Sequence, residues 1–196
     1  MCGRTSFIKF EENEIIPDVI SYPPKGYLNV TYTISDNSSK IRVDLGNEIE
    51  PKYTLQSPHV LLDNLNSNSY FSLIMTDPDA PSRKNPTRRE FCHWLVVNIP
   101  GENLSQGTVL KDYFRPAPPI NTGLHRYVFM LFEQSGYENF NSEPYVNGSC
   151  RTSRPYFSTK KFIEKYHFSE LKSGNFFFAS WDNSVPVNRT ATDCPF

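Results

Sequence analysis

The sequence predicts one mainly β domain with a few short helices. Short segments alternate apolar and polar residues with period two, others are almost wholly apolar, and 16 prolines punctuate the chain. Prolines at that density disfavour long helices and favour short strands joined by loops. A length of 196 residues fits a single domain, 1–196. Hydrophobic residues make up 38% and aromatics 14%, enough for a core, and 21% charged residues set the chain apart from charge-rich disorder.

The elements follow in order. Glu12 to Ile20 reads as a helix limited by Pro17. Leu28 to Ile34 alternates as an amphipathic strand, and Ile41 to Leu45 repeats the pattern. Tyr70 to Met75, Trp94 to Ile99, Tyr127 to Phe132 and Phe176 to Trp181 are nearly all apolar and read as strands, the first three buried on both faces. A better helix starts at a hydroxyl cap, Ser158 or Thr159, and runs to Tyr166 with Phe162, Ile163 and Tyr166 on one face. No repeat or linker divides the chain.

Composition excludes several classes. Twenty Lys and Arg against 21 Asp and Glu give a net charge of −1, so binding of nucleic acid through overall basic charge is excluded. No apolar run approaches the roughly 20 residues of a membrane span, and the start MCGRTSFIKFEENE has no signal-like apolar region. Cys2, Cys92, Cys150 and Cys194 show no C-x-x-C spacing, so no metal site is expected and a reduced, cytoplasmic chain is the reading. Cys92, inside an apolar run, is expected to be a small buried hydrophobe. Five N-x-S/T triplets, at Asn29, Asn37, Asn103, Asn147 and Asn188, are read as unmodified.

The chemistry concentrates in three places. Asp77-Pro78-Asp79-Ala80-Pro81-Ser82-Arg83 follows directly on a buried strand. Its prolines cannot continue that strand and fix a rigid turn, with Ala80-Pro81 a candidate cis bond. Asp77 and Asp79 either bind something there or hydrogen-bond the turn's own N–H groups. His93 and His125 each open an apolar strand, the latter after a Pro/Gly-rich loop. Alternation puts His125 and Tyr127 on one face and turns Arg126 away. A strand end lies beside its antiparallel neighbour's beginning, so Asp77, His93, His125 and Tyr127 are expected on one rim.

DPDAPSR, REFCHWLVVNIPG and GLHRYVFMLFEQ, in that order, resemble the phosphatidylethanolamine-binding protein family, which includes the Raf kinase inhibitor proteins. The resemblance covers nearly the whole chain. It implies a large central antiparallel sheet packed on a smaller one with short peripheral helices, and a small cavity for the phosphate of a phospholipid head group or a phosphorylated ligand. The implied pocket residues are Asp77, Pro81, Phe91, His93, Pro118, Pro119, His125 and Tyr127, with cis bonds at Ala80-Pro81 and Arg89-Glu90. Imidazole N–H groups and a phenol suit phosphate oxygens, and a neighbouring carboxylate favours a charged histidine. Asp77 is expected to orient a histidine or meet an ethanolamine ammonium. No lysine falls on the matched positions, so micromolar to millimolar binding is the expectation.

The chain also departs from the family. Ala117 stands where many animal members have glycine. The stretch Val187 to Asp193 lacks the tyrosine that covers the pocket in mammalian members, and Arg189 lies near that position. Lys161 replaces the serine whose phosphorylation switches mammalian partners, leaving Ser158 or Thr159 as nearby alternatives. The expectation is a monomeric binding protein, not an enzyme, without cofactor, that modulates a protein kinase. Inhibition of a serine protease or carboxypeptidase is the alternative, with phosphoester hydrolysis behind it, since no nucleophile elbow or H-E-x-x-H motif is present.

Overall fold

The computed structural model describes residues 8–34 and 39–187. Ten strands occur among them: β1 Gly26–Tyr27, β2 Asn29–Thr33, β3 Lys40–Arg42, β4 Asn47–Glu48, β5 His59–Leu61, β6 Tyr70–Asp77, β7 Phe91–Pro100, β8 Thr108–Lys111, β9 His125–Glu133 and β10 Glu170–Ala179. The helices include α1 Ile15–Asp18 and α2 Thr159–Lys165. A seven-stranded sheet runs β1-β10-β9-β6-β7-β8, with β4 also on β10, and a three-stranded sheet runs β3-β2-β5. This is the mainly β, two-sheet architecture the sequence predicts.

The long central strands are apolar at nearly every position because both faces of the large sheet are covered. Leu73, Met75, Phe129, Leu131 and Phe177 pack with Val30, Tyr32 and Val60 of the small sheet. Ile74, Val128, Met130 and Phe176 pack on the opposite face with Ile15, Phe162 and Tyr166. Neighbouring residues of one strand thus join different clusters, as a period-two pleat requires.

The large sheet is not wholly antiparallel. β1 and β4 both pair parallel to β10, at Ser173–Gly174 and Phe177–Phe178. The chain leaves this sheet after β1, builds β2 and β3 of the small sheet, and returns in β4, so no hairpin fixes the direction.

The Glu12 to Ile20 helix is corrected. Residues 8–12 and Ile15–Asp18 are helical with a turn at Asn13 and Glu14 between them, and Ile16 is non-helical (φ −101°, ψ 118°). Pro17 lacks an N–H and restricts the residue before it, which breaks the turn. The second helix forms as expected: the Ser158 side chain accepts from the Lys161 N–H, while Phe162 and Tyr166 are buried. Ala80-Pro81 and Arg89-Glu90 are cis, and so is Ile16-Pro17, which the sequence did not suggest. No described helix is long and apolar enough to cross a membrane.

Cys92 is free and fully buried, as expected. Cys150 is disulfide-bonded, with its partner outside the described residues. This corrects the reduced reading at Cys150.

Candidate functional site

The site forms where three strand ends meet. β6 lies between β7 and β9 and runs antiparallel to both. Its C-terminal residue, Asp77, therefore sits level with the first residues of its neighbours, opposite Phe91 in the register with β7. His93 and His125 flank one strand rather than occupying adjacent ones.

His93 reaches the cavity by the pleat, two residues after Phe91 on the same face. Met75 pairs with Trp94, while the next residue, Thr76, pairs with Cys92. His93 is the extra residue of a β-bulge, which turns the next residue, Trp94, onto the face of Met75 that His93 already shares with Phe91. Cys92 is left facing the helix-side core.

Two carboxylates of the proline-rich turn grip two successive residues of β9. Asp77 Oδ2 lies 2.8 Å from His125 Nδ1, and its Oδ1 accepts the Asp79 N–H at 2.7 Å. Asp79 accepts the Arg126 N–H at 2.9 Å and its guanidinium at 2.9 and 2.6 Å. Arg126 also donates to Asp18 at 2.8 Å. Arg126 thus turns away from the cavity as alternation predicts, but into a fully buried pair with Asp79 that the partly exposed Asp18 joins. Asp77 thus accepts from its own turn and orients a histidine. Asp79 serves the fold.

His125 is held at both ring nitrogens. Its Nε2 lies 2.9 Å from Thr122 Oγ1, whose own hydrogen goes to the Pro119 carbonyl at 2.7 Å. Thr122 therefore accepts from Nε2–H, and Nδ1–H faces Asp77. That pattern fits an imidazolium. Burial opposes charge on His125, but the Asp77 carboxylate outweighs it and the pKa is raised. Burial also raises Asp77, although His125 pulls it down, so one proton is shared within a coupled pair. Gly123, at φ +76°, supplies the backbone turn that leads into this strand.

His93 behaves oppositely. Its Nδ1 lies 2.6 Å from the Phe114 carbonyl, so Nδ1 carries the hydrogen. Burial, joined by the charges of Arg154, His125 and Arg151, depresses its pKa to about 3. The expectation of a charged donor is therefore corrected: His93 is neutral, and its Nε2 presents a lone pair. Arg154 is buried and donates to the carbonyls of Cys92, His93, Asn147 and Cys150.

A cleft of about 440 Å³, mouth included, is lined by Asp77, Pro81, Phe91, His93, Pro119, His125 and Tyr127 of the predicted set. Pro118 is buried and does not line it. Ala80, Arg88, Phe114, Ala117 and Arg151 complete the lining and were missed as pocket residues. The cleft therefore carries two cations where a pocket without lysine was expected. Arg88 was legible as a neighbour of the REFCH block, whereas nothing near Arg151 in sequence marks it. Ala117, at the position where many animal members have glycine, lies on this wall. The stretch from Asn188 onward, Arg189 included, lies outside the described residues. Thr159, one alternative modification site, is fully buried with its hydroxyl donating to Glu90 at 2.6 Å, so it is withdrawn.

Residues 21–175 match the family model described as phosphatidylethanolamine-binding protein. The Drosophila melanogaster protein named "Putative odorant-binding protein A5" is 34% identical over 177 residues, 90% of this chain and 80% of that one. The CG7054 solution structure is 38% identical with a TM-score of 0.69, covering 88% of this chain and 94% of that one. A carboxypeptidase Y inhibitor, solved in complex with its cognate proteinase, is 25% identical with a TM-score of 0.73 over 92% and 97% of the two chains. The Plasmodium vivax phosphatidylethanolamine-binding protein shares the fold, with 22% identity and a TM-score of 0.72 over 90% and 97% of the two chains.

Proposed function

The chain belongs to the phosphatidylethanolamine-binding protein family, and on that premise we propose that its cleft binds a phosphate-bearing ligand, a phospholipid head group or a phosphorylated small molecule, without turnover. The observation that carries this reading is the lining itself: an Asp77–His125 pair, His93 and Tyr127 beside two arginines in one small cleft. Arginine forks suit phosphate oxygens. The apolar walls of Pro81, Pro119, Phe91 and Phe114 limit water at the anion. A lining with this charge disfavours a wholly apolar occupant, which weighs against extending the Drosophila protein's name to this chain's ligand. Modulation of a protein kinase by the occupied protein is the finer reading, and it rests on resemblance to the Raf kinase inhibitor proteins.

The test is an NMR titration with phosphorylethanolamine, inorganic phosphate and phosphotyrosine at pH 6 and pH 7.5. Amide shifts confined to the Asp77, His93 and His125 strand ends are expected. Absence of shifts at millimolar ligand overturns the reading. Likeness to the carboxypeptidase Y inhibitor supports protease inhibition as a second reading, and stoichiometric loss of carboxypeptidase activity is its measure.

A further inference from the structure

The cations of the cleft carry an inference that rests on the anion-binding reading and names the ligand class. Asp77 and His125 cancel one another wherever their shared proton lies. His93 is neutral. Two guanidinium charges then remain on the lining, Arg88 and Arg151.

Neither has a carboxylate partner among the described residues, because the nearby acids are taken. Asp18 and Asp79 pair with Arg89 and Arg126, and Asp77 pairs with His125. Glu90 accepts from the Thr159 N–H and hydroxyl. Arg88 is exposed and Arg151 is partly buried. Burial and then the Arg88 charge push the Arg151 pKa below its ordinary value, a sign that the two cations feel each other. The histidines do not supply the donors in their place. His125 has both nitrogens occupied and His93 offers a lone pair. Charge-assisted hydrogen bonds to an anion therefore fall to the arginines.

A lining of two like charges is matched by a ligand carrying two opposite ones. A phosphomonoester holds close to −2 near neutral pH, since its second pKa is about 6. A phosphodiester holds a single charge and has one terminal oxygen fewer for a guanidinium fork. We propose that this cleft selects terminal phosphate groups, phosphomonoester dianions, over phosphodiesters, with Arg88 and Arg151 as the specificity-determining side chains.

Methyl phosphate and dimethyl phosphate separate the two classes at nearly equal size. Calorimetric or NMR titration at pH 7.5 is expected to show the monoester bound at least about tenfold tighter. In the Arg88→Gln/Arg151→Gln double variant the two affinities are expected to converge to within about twofold. Arg88→Gln alone, at an exposed position, is expected to remove part of the preference with an unchanged melting temperature. Equal affinity of the wild type for both esters, or a preference that survives the double substitution, overturns the proposal and leaves the anion site standing. Failure of both esters to bind removes the proposal and the anion site together. Vesicles containing phosphatidic acid, set against vesicles containing phosphatidylglycerol, distinguish the sources. Selective flotation with phosphatidic acid assigns a lipid-borne terminal phosphate, and methyl phosphate binding without flotation assigns a soluble ester.

Discussion

The two histidines have the same residue type, similar burial and a position at the same rim, yet opposite protonation. The difference lies in what each ring touches. His125 faces a carboxylate on one side and a hydroxyl with no hydrogen to spare on the other, so both nitrogens keep their protons. His93 faces a carbonyl and a set of cations, so a second proton finds no partner and adds repulsion. His93 is therefore expected to stay neutral, in the Nδ1–H form, from pH 5 to pH 8 in the ligand-free protein. Long-range 15N–1H correlation spectra of the imidazole read this directly. A His93 ring that titrates near its ordinary value of about 6.5 sinks the assignment. None of this opposition was legible in the sequence, where both residues simply open apolar strands. Convergence of Asp77, His93, His125 and Tyr127 was legible, because antiparallel pairing fixes which strand ends meet. The bulge after Cys92 that turns Trp94 to the same face as His93 was not, since a one-residue register shift leaves no mark in an apolar run.

At the scale of elements, the site is held by side chains that bridge segments far apart in the chain, and these escaped the sequence reading for that reason. Glu90 precedes β7 and is buried against the start of α2, where its carboxylate accepts the Thr159 N–H at 2.8 Å and the Thr159 hydroxyl at 2.6 Å. The first N–H groups of a helix have no partner within it, so Glu90 satisfies a donor that Ser158, capping Lys161, does not reach. Backbone bonds between Glu90 and Phe157, at 2.9 and 3.0 Å, complete the clamp. The α2 cap could be read from local sequence because capping acts over three residues. The Glu90 bond spans 69 positions and could not. Replacing Glu90 with alanine leaves two buried donors at Thr159 unpartnered, and a loss of about 2–4 kcal/mol is expected in urea unfolding. Glu90→Gln keeps a carbonyl acceptor and is expected to lose less than half as much. An alanine variant within about 0.5 kcal/mol of wild type removes the clamp.

For the whole molecule, the protonation pattern makes stability depend on pH. His93 has a folded-state pKa of about 3, below its unfolded value of 6.5. Its contribution is therefore fully present above pH 6.5 and is lost as pH falls from there toward 3, because only the unfolded chain takes up the proton in that window. At pH 5 the gap between pH and the unfolded value corresponds to about 2 kcal/mol. His125 has the opposite sign. Its raised pKa gives stability that is complete below the ordinary histidine value and is lost as pH rises through the folded value. The two curves therefore meet near neutrality, with His125 dominating the alkaline side and His93 the acid side down to the range where carboxylates protonate. Urea unfolding at pH 7 and pH 5 isolates the acid limb when wild type is compared with His93→Gln, which retains an N–H for the Phe114 carbonyl. Wild type is expected to lose about 2 kcal/mol more than the variant between those two pH values. Equal losses in the two proteins place the acid sensitivity elsewhere and show that His93 is protonated in the fold as readily as in the unfolded chain.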